Sequence, residues 1–590
     1  MAVEKVKWDN KASYILSLIG YAVGLGNLYR FPFLVASNGG GSFLIPYFLA
    51  LFLIGFPLFM LESAAGQRFR RGPMAIWKRI HPALGGIGLS STIISSIISL
   101  YYNVILSYAL FYLFRSFESP LPWQDDSEAF WHEEVIDDTD DIDDFGTIVW
   151  PLIGCLALAW TFSFFICFKG IKSSGKVVWV SATFPYLVLV ILLVRGLSLP
   201  GADKGIEYFL TPKWERLGEA KVWSAAGAQI MFSLAPCWGS LTAYASHNDI
   251  RNNVLFDGIF VPIVNSFTSL LGGFCIFSAL GFLAHERGVS VESIADSGLG
   301  LAFIVYPASI VEMPASNLWA ILFFVMLIFL GIDSAFALTE ITITSIEYFV
   351  QHRHGRDLDD DDDEADDGGN DTASSSSFDA SSSSSSDASS SSSSTSAEHS
   401  SSTPSSSSSS SSASSFPSTA SASTSSSSSS LVFGGRLHRK TVVAFLVCLF
   451  SFFIGFLFCT QAGVHWVELV DLNTGAACVF IIAVAECFAI AWVYGADRFL
   501  DDIRLMTGRS VSPLWGYMWK FVTPAVCVAL IISTIIDMAV GETDFPTWAV
   551  LIGWLLGVGA AAPIFVEAAR HWSTPAHPIP DLVIPPKETS

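Results

Sequence analysis

The sequence predicts an all-α integral membrane protein of about 12 transmembrane helices, two of them broken. Three observations carry this. Apolar residues make up 52% of the chain and the mean hydropathy is +0.51, which places it among membrane proteins. About 12 apolar stretches of roughly 20 residues or more are each long enough to cross a bilayer. The first and the sixth are interrupted at corresponding places in successive blocks of five. Such pairing points to two inverted five-helix repeats followed by two C-terminal helices, with a site between the interruptions.

The stretches run approximately 12–35, 42–66, 88–116, 147–168, 177–195, 221–246, 255–284, 316–350, 441–460, 470–495, 515–540 and 546–568. Helices one to eight fall in 1–350 and helices nine to twelve in 436–568. Between them, 351–435 is an acidic and Ser-rich loop, and 569–590 is a tail. The loop cannot bury enough apolar area to offset its ordering entropy, so disorder is expected. A solvated spacer is the plainer role for it and a phosphorylated regulatory arm the sharper one. Met1 to Lys11 is short and charged with no cleavage pattern behind the first apolar run, so no signal peptide is expected.

Basic residues set the orientation. Lys5, Lys7 and Lys11 precede span one; Arg68, Arg70, Arg71, Lys78 and Arg79 follow span two; Lys169, Lys172 and Lys176 follow span four; Arg498, Arg504 and Arg509 follow span ten. All fall on one side if both termini are cytoplasmic. The net charge of −22 gathers in the soluble loops, chiefly 125–144 and 357–367. It argues against nucleic acid as a partner and suits a high-salt cell, where screening removes the self-repulsion. Cys155 to Cys527 all lie within spans, so no disulfide framework is expected.

The first interruption reads Gly20-Tyr21-Ala22-Val23-Gly24-Leu25-Gly26-Asn27-Leu28-Tyr29-Arg30-Phe31-Pro32. Each glycine costs a helix roughly 1 kcal/mol against Ala. Taken alone, the glycines fit small-residue helix packing. With Asn27 and Arg30 attached, a broken helix that binds a solute or an ion is the better reading. The second interruption is Ser233-Leu234-Ala235-Pro236-Cys237-Trp238-Gly239, where Pro236 removes a donor and clashes with the preceding turn. Asp333 stands inside the apolar run Leu318–Ala337. A charge there is costly, so it marks a functional site with a cation as partner, ahead of a salt bridge to another helix.

These residues carry a resemblance. The first motif, followed by Asn38-Gly39-Gly40-Gly41 and Ile45-Pro46-Tyr47, resembles the first two helices of the neurotransmitter:sodium symporter family. Leu100-Tyr101-Tyr102-Asn103 and Leu330-Gly331-Ile332-Asp333-Ser334-Ala335-Phe336 resemble its third- and eighth-helix motifs. Two Na+ sites are implied. One takes Gly20, Val23, Leu330, Asp333 and Ser334; the other takes Ala22, Asn27, Ser233 and Asn265 with the substrate carboxylate. Unwound backbone at Gly20, Ala22 and Val23 would supply carbonyl oxygens.

Gly24 stands where monoamine carriers of the family have an Asp, so the substrate is expected to bring its own carboxylate: an amino acid. Leu25 and Gly26 amides with the Tyr102 hydroxyl would hold that carboxylate. The side-chain pocket would be Ile98, Phe232, Ala235, Trp238, Ser334 and Leu338. It is uncharged, so an apolar or aromatic side chain is expected. A Cl− site is implied at Tyr47, Gln229, Ser233 and Ser269, the last standing where chloride-independent members have Glu. Arg30 and Asp471 would form the outer gate, with Phe232 and Tyr102 as the lid beneath. On the inner side Lys5 stands at the basic position near Trp8, and the acid position holds Tyr348 with Glu347 beside it. Glu62 resembles an acid that braces the broken sixth helix.

The reading is a sodium-coupled amino-acid symporter of the cell membrane, dependent on chloride and working by alternating access. It is not an enzyme, and no phosphate-binding Gly-x-x-x-x-Gly-Lys-Ser/Thr motif occurs. Its partners are the amino acid and the lipid bilayer; the sequence leaves a homodimer open. The rival is a non-transporting amino-acid sensor that uses 351–435 to signal. Retention of both Arg30 and Asp471 favours transport, since a sensor could lose its gates without harm.

Overall fold

Backbone amides in a bilayer have no water to bond, so each span must close its own hydrogen-bond ladder. The computed structural model describes residues 7–139, 141–168, 178–295, 301–353, 427–474, 477–540, 545–576, 578–582 and 584. Among these, every predicted span is helical, and strand pairing is confined to the isolated bridges Gly40–Pro212 and Ile148–Thr460. Ten helices are long and apolar enough to cross a membrane. An eleventh is the bent pair Lys11–Ala22 and Gly26–Ser37, whose axes turn by 45°. The remaining predicted span, the sixth, is present as Ala220–Leu234 and Ser240–Ala245, each too short to cross alone. The protein is thus an all-α, multi-pass membrane protein.

The spans that frame the site are the second (Gly41–Phe69), third (Pro82–Arg115), fifth (Val178–Leu197), seventh (Val254–Arg287) and eighth (Ser316–Gln351). The third packs along the eighth, and the first half of span one lies against the seventh and eighth. The tenth span lies in the helical run Gly463–Thr507. Gly495, at φ 102, turns that run into the amphipathic helix Ala496–Thr507. All nine cysteines are free and buried.

Two boundaries differ from expectation. The first break opens at Val23, so Gly20 and Ala22 are the last turn of a helix and not unwound. A helix end leaves its final carbonyls without intrahelical partners, so little unwinding is needed to expose oxygen there. The helix of span nine begins at Ser427, inside the stretch assigned to the loop. Elongating an existing helix needs no new nucleus, and Ser is a tolerable helix former. Residues 354–426 and Lys169, Lys172 and Lys176 lie outside the described residues, as does Lys5.

The acidic segment before span four is docked and not loose. Thr139 N–H donates to Gln461 O at 3.3 Å, Val149 N–H to Cys459 O at 2.9 Å, and Gln461 N–H to Thr147 O at 3.1 Å. Asp137, Asp141, Asp143 and Asp144 are exposed, and Asp138 accepts from His132 Nδ1 at 2.9 Å, raising the imidazole pKa. Beyond the last span, residues 578–582 lie along the end of the bundle that carries the basic loops. Arg79 Nη1 donates to Pro578 O at 3.3 Å, Arg498 Nη2 to Ile579 O at 2.7 Å, and Arg68 Nη2 to Pro580 O at 2.9 Å. Ile579 and Leu582 pack against the core.

Candidate functional site at the two helix breaks

The breaks meet around one amide. Asn27 sits in the first turn after the break in span one, 1% exposed. Its Oδ1 accepts from Gly24 N–H at 3.0 Å, holding the break in shape. Its Nδ2 faces Ser233 Oγ at 3.1 Å, Asn265 Oδ1 at 2.9 Å, Asn265 O at 3.1 Å and Ser269 Oγ at 2.8 Å. Two amide hydrogens cannot serve four acceptors fully, so oxygens of Ser233 and Asn265 remain available to a dehydrated cation. Asn265 Nδ2 in turn donates to Ser233 Oγ at 2.8 Å. Three of the four residues predicted for one cation site are therefore in mutual contact. The fourth, Ala22, is the last residue of the helix that precedes the break.

The second cluster lies between spans one, five and eight. A Cβ on Gly20 would stand 2.6 Å from Asp333 Oδ2, so only glycine admits the carboxylate this close to the backbone. Ser334 Oγ donates to Tyr21 O at 3.0 Å and lies 3.5 Å from Gly20 O. Asp333 Oδ2 also accepts from Ser181 Oγ at 2.6 Å. A buried carboxylate, hydroxyls and helix-end carbonyls make the oxygen-rich, low-dielectric donor set that a hard monovalent cation requires.

Between the clusters lies the predicted solute position. Tyr102 OH accepts from Leu25 N–H at 3.1 Å. A Cβ on Gly24 would stand 2.6 Å from both Ser334 Oγ and Tyr102 OH. Phe232 closes over Gly26 and meets Trp238 edge to face, ring centroids 5.6 Å apart. Ile98, Ala235 and Leu338 are buried. The space left beneath the Arg30 end is about 10 Å³, room for roughly one water.

That end is closed by a layered set of contacts. Arg30 Nε pairs with Asp471 Oδ2 at 3.1 Å, and its guanidinium lies 4.7 Å above the Phe232 ring. Tyr101 OH donates to Asp471 Oδ1 at 2.8 Å. Arg30 Nη1 also donates to Gln229 Oε1 at 3.1 Å, while Gln229 Nε2 donates to Gly26 O at 3.0 Å. Gln229 is thus engaged with the gate and the break. The other predicted anion ligands do gather: Tyr47 OH lies 3.4 Å from Ser269 Oγ, and Ser233 joins them through Asn27.

At the opposite end, Trp8 Nε1 donates to Tyr244 O at 3.0 Å. Lys11 Nζ pairs with Asp257 Oδ1 at 3.2 Å, tying the start of span one to span seven. Glu347 adds its field at Lys440, which pairs with Glu340 at 2.5 Å. Sequence reasoning missed several of these residues. Ser181, Ser266 (3.2 Å from Tyr47 OH) and Ser95 (donating to Trp238 O at 2.6 Å) lie outside the motifs, and Tyr21 (donating to Ala235 O at 2.7 Å) stands in the first motif without a role assigned to it. Tyr101 was within reach as the neighbour of Tyr102 in one motif.

The sequence matches the profile of the Sodium:neurotransmitter symporter family over residues 5–128, 124–358 and 415–574. The chain belongs to the sodium:neurotransmitter symporter family. It is 36% identical to the sodium- and chloride-dependent GABA transporter 2 of Mus musculus over 592 residues, covering 95% of this chain and 85% of that protein. It is 34% identical to the transporter of the same name from Homo sapiens, covering 98% and 91%. It is 35% identical to the sodium- and chloride-dependent glycine transporter 2 of Xenopus laevis, covering 93% and 67%. As a member of this symporter family the protein is a sodium-coupled membrane transporter and not an enzyme. The two breaks are where the family's chemistry is to be sought.

Proposed function

We propose that the protein carries a small amino acid across the cell membrane with Na+ and Cl−, by alternating access around the two broken helices. The observation that carries this is the convergence of Ser233, Asn265 and Ser269 on the buried amide of Asn27, with Asp333 and Ser334 against the end of the same broken helix. One Na+ would sit at Gly20, Val23, Leu330, Asp333 and Ser334, the other at Ala22, Asn27, Ser233 and Asn265. The substrate carboxylate would meet the Leu25 and Gly26 amides and Tyr102. Arg30 and Asp471 would open first toward the outside, with both termini cytoplasmic and the basic loops inside.

An apolar or aromatic side chain was the expectation from the uncharged lining. The packing favours the small end of that range. Phe232 and Trp238 already meet, and a large substituent would have to displace both rings. The named substrates of two relatives, GABA and glycine, are likewise zwitterions without a side chain. Chloride fits through charge. Two cations at mid-membrane repel one another, a zwitterion adds no net charge, and an anion near Tyr47 and Ser269 offsets the repulsion at low dielectric.

Uptake of a panel of labelled amino acids into proteoliposomes tests the reading. Uptake of a small neutral amino acid is expected to need an inward Na+ gradient and to fall when gluconate replaces Cl−. Ser269→Glu is expected to remove the Cl− requirement by supplying the charge in place. Undiminished wild-type uptake in gluconate would sink the chloride assignment alone; uptake without Na+ would sink the whole reading.

A further inference from the structure

The break in span six carries a second cluster, apart from the ion and solute positions. Glu62 of span two, Cys237 of the break and Glu486 of span ten each direct a ligand-type atom to one place, all three atoms within 4.8 Å of one another. None is more than 1% exposed. Cys237 N–H donates to Glu62 Oε1, and Cys237 Sγ lies 3.6 Å from Glu486 Oε2. Glu62 Oε2 is buried with no hydrogen-bond partner. Among the described residues no cationic side chain acts on either carboxylate. It is also the one group of this kind among the described residues.

Two carboxyl groups and a thiol crowded in a dry site are neutral while they hold their protons, and a metal ion that displaces those protons can engage all three at once. The donor set says which kind. A hard ion such as Na+ prefers oxygen alone, whereas one sulfur with two carboxylate oxygens suits a borderline divalent ion that accepts mixed ligands. We propose that Glu62, Cys237 and Glu486 form an inhibitory binding site for a divalent transition-metal ion of the Zn2+ class. Binding releases the protons held by the thiol and the carboxyl groups and leaves a fourth position for water. The backbone at Cys237 has φ 66 and lies between two half-helices, outside the hydrogen-bond ladder of either. A metal there staples that segment to spans two and ten. The inhibitory effect rests on the transport reading above; the binding does not.

Two readouts keep these apart. Purified protein titrated with Cd2+ is expected to show thiolate-to-metal charge-transfer absorbance in the ultraviolet. Cys237→Ser is expected to abolish it, and Cys448→Ser to leave it intact. Glu486→Gln is expected to weaken Cd2+ binding by at least the 10- to 100-fold that loss of a supporting partner brings to metal sites. In proteoliposomes, Zn2+ is expected to slow wild-type uptake and to spare Cys237→Ser. Absorbance that survives in Cys237→Ser, or its absence from the wild type, overturns the site. Binding without any effect on measured uptake overturns the inhibition and leaves the site.

Discussion

The two breaks reach the same end by opposite means. In span one no residue from Val23 to Asn27 needs a left-handed backbone. That break is made by room: Gly20 and Gly24 let Asp333, Ser334 and Tyr102 come within reach of the main chain. In span six the break is made by conformation. Ala235, Cys237 and Gly239 have φ of 48, 66 and 81, around a proline that has no N–H to give. The first break is therefore intolerant of added atoms. The second already holds two L-residues in a region that costs each about 1–2 kcal/mol. Tyr21 joins them, its hydroxyl bonded to the strained carbonyl of Ala235.

The largest effect should come from the crowded break. Asp333→Ala removes the carboxyl group next to Gly20, the proposed Na+ ligand, and is expected to cut Na+-dependent uptake by roughly 100-fold, the worth of a charge-assisted contact of a few kcal/mol. Gly24→Ala should do nearly as much, because its methyl would overlap Ser334 Oγ and Tyr102 OH, both 2.6 Å away. Initial-rate uptake against Na+ concentration reads both. An unchanged Na+ dependence in Asp333→Ala would mean that the cation site is elsewhere.

A smaller and opposite effect is expected at span six. Ala235→Gly relieves a left-handed Ala and keeps the carbonyl that Tyr21 uses, so it should raise thermal stability by up to about 1 kcal/mol once the extra freedom of the unfolded glycine is deducted. Melting of the detergent-solubilised protein measures this. A lower melting temperature would remove the contrast between the breaks. The smallest effect is expected from deleting 357–430. The residues described at both breaks all lie outside that segment, so uptake by a correctly inserted deletion protein should match the full chain.

What could be read in advance divides along physical lines. The spans were legible because a membrane demands long apolar runs whatever their partners. Both breaks were legible because Gly and Pro act on their own backbone. Asp333, Asn265 and Asn27 stood out by being polar in apolar surroundings. Ser181 and Ser95 did not, because a serine in a helix can satisfy itself on a neighbouring carbonyl and so carries no expectation of a distant partner. The same limit hid Lys11–Asp257. Either charge alone looks like an ordinary residue at a helix start, and only folding brings span seven to span one. The expected inner-gate base, Lys5, lies outside the described residues, and the basic tethers seen at that end are Lys11 to Asp257 and Lys440 to Glu340.

The segment 578–582 is held in an unusual way. Three guanidinium groups from three different elements read the main-chain oxygens of Pro578, Ile579 and Pro580. Every residue type offers that oxygen, so the contact places little demand on which letters are written there. Prolines suit it well, since they present an acceptor and have no amide left to satisfy. The arginines must be spelled correctly, while the strand of chain they grip is free to drift. Among relatives, then, variation should gather in the tail and constancy in the arginines, and a graft of unrelated proline-rich sequence should seat where the native one does.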